Sequence, residues 1–213
     1  MITALLSFAQ ELIINIGYPG IVFVAALENF FPPLPSEVIF PFVGFVAGNG
    51  STLLTTRGEL AFPLVVLAGV LGASVGALFW YAAGYMLGAT DLKVLIVRYG
   101  KPLGIKLGDI EKAERWFERY EVPVIFFGRL VPLVRTFVSI PAGFVKMNIA
   151  VFSLLTVIGS TLWIGGLSYA GFILGERWEA IIPYLENYEL AIEIVVAGAV
   201  VLLLLKNLRS RQS

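Results

Sequence analysis

Four ionisable residues sit where charge is expensive, inside stretches of membrane-grade hydrophobicity broken by proline. Glu28 and Glu37 flank the first break, Ala26-Leu-Glu-Asn-Phe-Phe-Pro-Pro-Leu-Pro-Ser-Glu37. Arg129 and Arg135 flank the second, Phe127-Gly-Arg-Leu-Val-Pro-Leu-Val-Arg-Thr136. A charge at bilayer depth costs several kcal/mol and commonly marks a substrate or ion pathway. Arginine stays protonated, and its planar fork matches phosphate oxygens two at a time. Arg129 and Arg135 do not share a helix face, but Pro132 breaks the segment between them, so both can point into one cavity. Two fixed cations there suit a phosphate head group. The carboxylates cannot hold an anion. Burial and a neighbouring arginine pull a carboxyl's proton affinity in opposite directions, which suits Glu28 and Glu37 to carry a proton or cation, or to gate the arginines. Pairing each arginine with a glutamate purely for structure is the alternative. Asn29, Ser36, Thr136 and Ser139 also lie near the breaks, where interhelical packing explains them equally well.

The elements that must hold these residues are membrane helices. Of 213 residues, 58% are hydrophobic and 14% charged, against about 25% charged in a soluble domain. Mean hydropathy is +0.88. Residues 62–87 and 148–174 contain no charged side chain, and each is long enough to cross a hydrocarbon core of about 30 Å. A third span is expected over 188–206, accepting Glu189 and Glu193 near its start. The arms around the first break are shorter, residues 18–31 and 37–48. Proline removes a backbone donor and clashes with the preceding turn, so Pro32, Pro35, Pro132 and Pro141 are expected to break helices. Irregular backbone at membrane depth must be buried in protein or line a wet cavity. A re-entrant hairpin meets that condition; an ordinary span kinked by proline is the alternative.

An internal repeat orders these pieces. A shift of 100 positions lays Pro32 on Pro132 and Pro41 on Pro141, with Gly44 nearly on Gly143. A shift of 87 lays Ala83-Gly-Tyr-Met-Leu-Gly88 on Ala170-Gly-Phe-Ile-Leu-Gly175, and Gly72 on Gly159. The first copy carries extra residues around 48–57. The fold expected is therefore an all-α integral membrane protein, one membrane domain over residues 1–213. It comprises an N-terminal amphipathic or tilted helix (1–17), repeat 1 (18–87), a cytoplasmic connection (88–121), repeat 2 (122–175) and a C-terminal transmembrane helix (188–206). Each repeat is a re-entrant helical hairpin plus one span, so an odd number of crossings inverts the second relative to the first, as in many secondary transporters. Within the connection, 109–120 reads as an amphipathic surface helix, with Ile110, Ala113, Trp116, Phe117 and Tyr120 on one face. Seven Lys and Arg fall in 88–121, and Lys146, Lys206, Arg209 and Arg211 share that side, against Arg57 and Arg177 opposite. The positive-inside rule puts the connection and the C-terminus in the cytoplasm.

Composition also excludes. The chain has no Cys and no His, so thiol chemistry, His-dependent membrane phosphatases and His-Glu-x-x-His metalloproteases are out. No metal site, cofactor or enzymatic activity is expected. A net charge of zero argues against a nucleic-acid partner. The N-terminus lacks the basic region and cleavage pattern of a secretory signal, so it is expected in the mature chain.

Glu28-x3-Pro32-x-x-Pro35-x-Glu37, followed by Phe127-Gly-Arg129-x-x-Pro132-x-x-Arg135-x5-Pro141-Ala-Gly143, resembles the DedA family of membrane proteins, the SNARE-associated or VTT-domain superfamily. The resemblance covers about residues 15 to 175. It implies two opposed re-entrant hairpins and movement of lipid across the cell inner (plasma) membrane. Bacterial members are associated with returning undecaprenyl phosphate to the cytoplasmic leaflet, others with phosphatidylethanolamine flipping, and eukaryotic relatives with lipid scrambling; proton-motive force is implicated in some. By motif, Glu37, Arg129 and Arg135 match residues that the family needs, and Glu28 belongs to the same first motif. The expected function is thus a flippase for an anionic lipid, a polyprenyl phosphate held by Arg129 and Arg135, with Glu28 and Glu37 pairing those arginines in turn or carrying protons or another coupling cation. A homo-oligomer is compatible with it. The rivals are an uncoupled phospholipid scramblase, a phosphatidylethanolamine flippase, and a non-transporting scaffold whose charges only lock the hairpins.

Overall fold

In the computed structural model, which describes residues 2–30, 35–48, 60–99, 107–184, 187 and 191, every regular element is a helix. They are α1 (Ile2–Ile16), α2 (Tyr18–Glu28), α3 (Ser36–Gly48), α4 (Phe62–Tyr99), α5 (Leu107–Gly128), α6 (Pro132–Phe137), α7 (Ser139–Phe144) and α8 (Ile149–Leu174), followed by a 3-10 segment, Gly175–Ile181. The break residue Pro32, residues 49–57 of the extra stretch, and the C-terminal span expected over 188–206 (Ala191 apart) lie outside the described residues.

Gly17 separates the first two helices. Its backbone, φ 70 and ψ −132, is one that only glycine adopts cheaply. The chain then folds back, because Gly20 lies against Leu12 and Ile13 so closely that an added Cβ would sit 2.5 Å from the Leu12 carbonyl oxygen. In a continuous helix those residues would stand about 12 Å apart. Helix α1 is therefore a separate helix, folded back so that its Ala9 and Ile13 bury against α2 and α3.

The two long helices carry the frame. Segments Phe62–Leu87 and Ile149–Ala180 are long and apolar enough to cross a membrane. On α4, Leu64, Leu67, Leu71, Val75 and Phe79 recur every three or four residues and stay about half exposed. Leu154, Val157, Ile158 and Leu162 do the same on α8. Continuous apolar stripes of that length belong against lipid rather than water. The helices run antiparallel, with Phe62 against Tyr169 and Phe172, and Gly69 against Ile164. In contrast to the expected end at Leu87, α4 continues to Tyr99. Nothing in 88–99 stops a helix: the charged residues there change the preferred solvent, not the backbone, and the next proline is Pro102.

Shorter helices pack on this pair. Helix α2 runs parallel to α4, with Tyr18 near Ala61, Val22 against Gly72 and Asn29 against Gly76. Helix α3 runs parallel to α8, with Ser36 near Trp163, Gly44 on Ser168 and Gly48 on Phe172. Because α4 and α8 are antiparallel, so are α2 and α3. At 11 and 13 residues they reach about 16 and 20 Å, and their facing ends lie beside Gly76 and Trp163, midway along the long helices.

In the second half, α5 bends at Tyr120 (φ −119, ψ 21), three residues before Pro123. Proline obstructs the preceding turn, so the amphipathic stretch expected over 109–120 and the arm that follows it meet at this kink. The arm stops at Gly128. Val131 is extended (φ −111, ψ 120) and Pro132 opens α6, where its missing N–H is harmless and its φ is preset. Pro141 breaks nothing, contrary to expectation. It lies in the first turn of α7, among N–H groups that have no intrahelical partner anyway; the interruption falls earlier, at Val138. Asn148 then caps α8, its Oδ1 accepting from the Ala150 and Val151 N–H groups at 2.9 and 3.3 Å.

Glycines set the closest approaches. A Cβ on Gly44 would collide with the Ser168 carbonyl, and one on Gly171 with that of Pro41. A Cβ on Gly143 would meet the Tyr81 carbonyl, and one on Gly84 that of Ile140. So α3 lies backbone to backbone on α8, and α7 on α4. Gly44→Ala or Gly171→Ala is expected to destabilise the protein by about 1–3 kcal/mol through overpacking. Gly166→Ala, with open space around it, should be neutral or slightly stabilising. Thermal unfolding in detergent compares them; equal midpoints for Gly44→Ala and Gly166→Ala would contradict the tight approach.

Candidate functional site

Arg129 follows directly on the end of α5 and is 3% exposed. Its Nη1 donates to the Arg135 carbonyl oxygen at 2.9 Å, and its Nη2 to Ser139 Oγ at 2.9 Å and Thr156 Oγ1 at 3.1 Å. The Phe152 ring lies under the guanidinium, 5.5 Å from its carbon to the centroid. Every one of these acceptors is neutral. Nε is buried and makes no hydrogen bond. A guanidinium has five N–H donors, so this buried cation retains donor capacity at Nε, and among the described residues no carboxylate pairs with it.

The second arginine is handled differently. Arg135, in the last turn of α6, forms an ion pair with Glu28, the last residue of α2. Glu28 is 5% exposed, so the pair is largely withdrawn from water. Removing one partner of such a pair costs about 3–5 kcal/mol, because the other is left buried and uncompensated. The Arg135 guanidinium also lies over the Trp163 ring, 5.6 Å from the centroid.

These groups meet at one narrow cleft with a free volume of about 10 Å³, lined by Glu28, Asn29, Ala73, Arg129, Arg135, Ser160, Trp163 and Ile164. Five parts of the chain meet there: the end of α2, mid-α4, the turn after α5, the end of α6 and mid-α8. Three of the four charged residues singled out from the sequence are thus brought together. Glu37 is buried in the first turn of α3 but is not among the cleft's lining residues. Pro35 immediately precedes α3, its carbonyl accepting from the Val38 and Ile39 N–H groups. Ser139 serves as an acceptor for Arg129, while Thr136 does not line the cleft.

Sequence reasoning passes over Thr156 and Ser160, and takes Trp163 for a packing or interfacial aromatic. They stand at i, i+4 and i+7 on α8, hence on one helix face. That face turns polar and aromatic side chains into the cleft, a signal present in the sequence and readable once the helix is assigned.

Long apolar helices around short broken ones, with a charged cleft buried between them, define an all-α integral membrane protein. Residues 34–173 match the VTT domain model. The chain belongs to that family, also called DedA. A relative in Lactococcus lactis subsp. lactis named alkaline phosphatase-like protein is 39% identical, over 91% of this chain and 89% of its own. The undecaprenyl phosphate transporter A of Staphylococcus aureus is 28% identical, over 95% and 96%. That of Bacillus subtilis is 31% identical, over 88% and 87%. No solved structure matches the chain.

Thr156→Val keeps the volume but removes an acceptor from a buried cation, and should lower stability by about 1–3 kcal/mol. Thr156→Ser should recover most of that. Thermal midpoints in detergent decide it; a Val variant as stable as wild type would mean that the bond contributes nothing.

Proposed function

We propose that this protein moves an anionic, phosphate-bearing lipid of the polyprenyl phosphate class between bilayer leaflets. The observation that carries the reading is Arg129: a buried guanidinium whose hydrogen bonds, among the described residues, go to neutral oxygens, beside a second arginine, in one cleft. A phosphate monoester would add the missing negative charge and accept from both guanidinium forks. The names of the two transporter relatives fit the same chemistry.

In this reading Glu28 is the exchangeable partner. The phosphate competes with Glu28 for Arg135, and a proton on Glu28 releases the arginine, so lipid movement is linked to proton movement. Glu37 carries or gates protons beside the cleft. The lipid chain stays in the bilayer while the head group passes.

The architecture we infer is a pair of inverted repeats, each a re-entrant hairpin plus a span. Three features support it. The arms α2 and α3 are too short to cross, and their facing ends lie midway along α4 and α8. The glycine contacts pair up: Gly44 on α8 corresponds to Gly143 on α4, and Gly171 to Gly84, which match the sequence offsets of 100 and 87 to within one residue. Each hairpin's second arm also lies on the other unit's span. With the basic residues of 88–121 and the C-terminus in the cytoplasm, the cleft is at mid-membrane and reachable from either leaflet as the hairpins shift.

The name alkaline phosphatase-like belongs to the Lactococcus relative. Hydrolysing a phosphate ester needs a nucleophile with its base or a metal-bound water; this chain has neither His nor Cys, and the cleft offers cations and one carboxylate.

The test is reconstitution in liposomes with labelled undecaprenyl phosphate on one leaflet. Arg129→Ala should slow its appearance on the other leaflet roughly tenfold or more, the worth of a charged hydrogen bond. An imposed pH gradient should speed the wild type and leave Glu28→Gln unaffected. Equal flux of phosphatidylethanolamine, or full flux in Arg129→Ala, would overturn the phosphate site in favour of an unselective scramblase. No flux of any lipid would favour a scaffold.

A further inference from the structure

Trp163 stands in the middle of α8, and simple packing does not account for its contacts. Its ring lies beneath the Arg135 guanidinium, 5.6 Å from centroid to central carbon. Its Nε1–H donates to Ser36 Oγ at 3.4 Å, on the first residue of α3 and next to Glu37. The same side chain lines the cleft with Glu28 and Arg129. One ring therefore touches the helix that follows the first break and the arginine that follows the second.

The geometry divides the guanidinium's bonding in a useful way. Stacking on a ring uses the flat face of the cation, while all five N–H groups lie in its plane and point outward. Arg135 can rest on Trp163 and still give its edge to Glu28 or to a phosphate. Attraction between an arginine and an indole face is strongest when both are withdrawn from water, and this pair is nearly so. A guanidinium released by Glu28 thus keeps its place instead of following the carboxylate or swinging away.

We propose that Trp163 is the positioning residue for Arg135: its ring keeps the guanidinium edge facing into the cleft, and its indole N–H ties that ring to the start of α3. The inference rests on the phosphate-site reading above and specifies how that site stays assembled while its partner changes. Preorganisation of this kind lowers the cost of binding without adding a contact to the ligand.

Two measurements test it. In liposomes carrying undecaprenyl phosphate, Trp163→Leu should raise the half-saturating lipid concentration about tenfold with the maximal rate little changed, the signature of lost ground-state positioning. Trp163→Phe keeps an aromatic face, and Ser36→Ala keeps the indole, so each should cost only about two- to threefold. Leu and Phe variants within twofold of each other would mean that the position needs only bulk, and would overturn the proposal. Independently of transport, Trp163→Leu and Arg135→Gln should be non-additive in a double-mutant cycle on thermal unfolding in detergent. Additive effects overturn the positioning role. Coupled effects in a protein that moves no undecaprenyl phosphate would leave Trp163 as the anchor of Arg135 and sink the phosphate reading instead.

Discussion

A positive charge that cannot reach water governs the architecture. Burying an unpaired ion is so costly that it persists only where hydrogen-bond acceptors are placed around it. Arg129 draws them from three places: the carbonyl at the end of α6, the hydroxyl at the start of α7 and the hydroxyl of Thr156 inside α8. The first depends on the helix ending there. A carbonyl at the end of a helix is available because its helical partner is missing, so the interruptions on either side of α6 are what make the cation tolerable. The proline break and the buried arginine belong to one device.

The same logic separates the two arginines. Arg135 is compensated by a full carboxylate, while Arg129 rests, among the described residues, on neutral hydrogen-bond acceptors and the Phe152 ring. An ion pair in a low-dielectric site is bistable in a way that a dipole cage is not. Protonating Glu28 abolishes its attraction, whereas neutral acceptors do not titrate. The cleft therefore holds one cation on neutral acceptors and one on a carboxylate.

Close helix contacts make this arrangement rigid enough to matter. In lipid no hydrophobic force drives helices together, so approach depends on packing and on small residues. Gly44 with Gly171, and Gly84 with Gly143, bring backbones together at positions flanking the cleft. They fix the ends of the broken helices against α4 and α8, and so fix the acceptors around Arg129. Arg129 itself lies against Gly159, where a Cβ would displace the arginine's own Cβ.

The sequence by itself determined the class of protein, the two long apolar helices, the break opened by Pro132 and the identity of the charges, because composition, hydropathy and proline act locally. A charge inside an apolar run is visible without knowing its neighbours. Local reasoning also misplaced some features: Pro141 looks like Pro132 in one dimension, but a proline's effect depends on its distance from the helix start. Gly17 turns α1 back, and α4 outruns its apolar segment, because backbone dihedrals and helix continuity answer to different forces from hydropathy. Tertiary structure alone decided the partnerships. That Glu28 meets Arg135, that Arg129 is held by neutral oxygens, and that Trp163 lies under Arg135 all depend on contacts between residues 6 to 107 positions apart. Chain spacing carries no information about which side of a cleft a side chain enters; the antiparallel crossing of α4 and α8, and the glycines that let short helices lie against them, supply it.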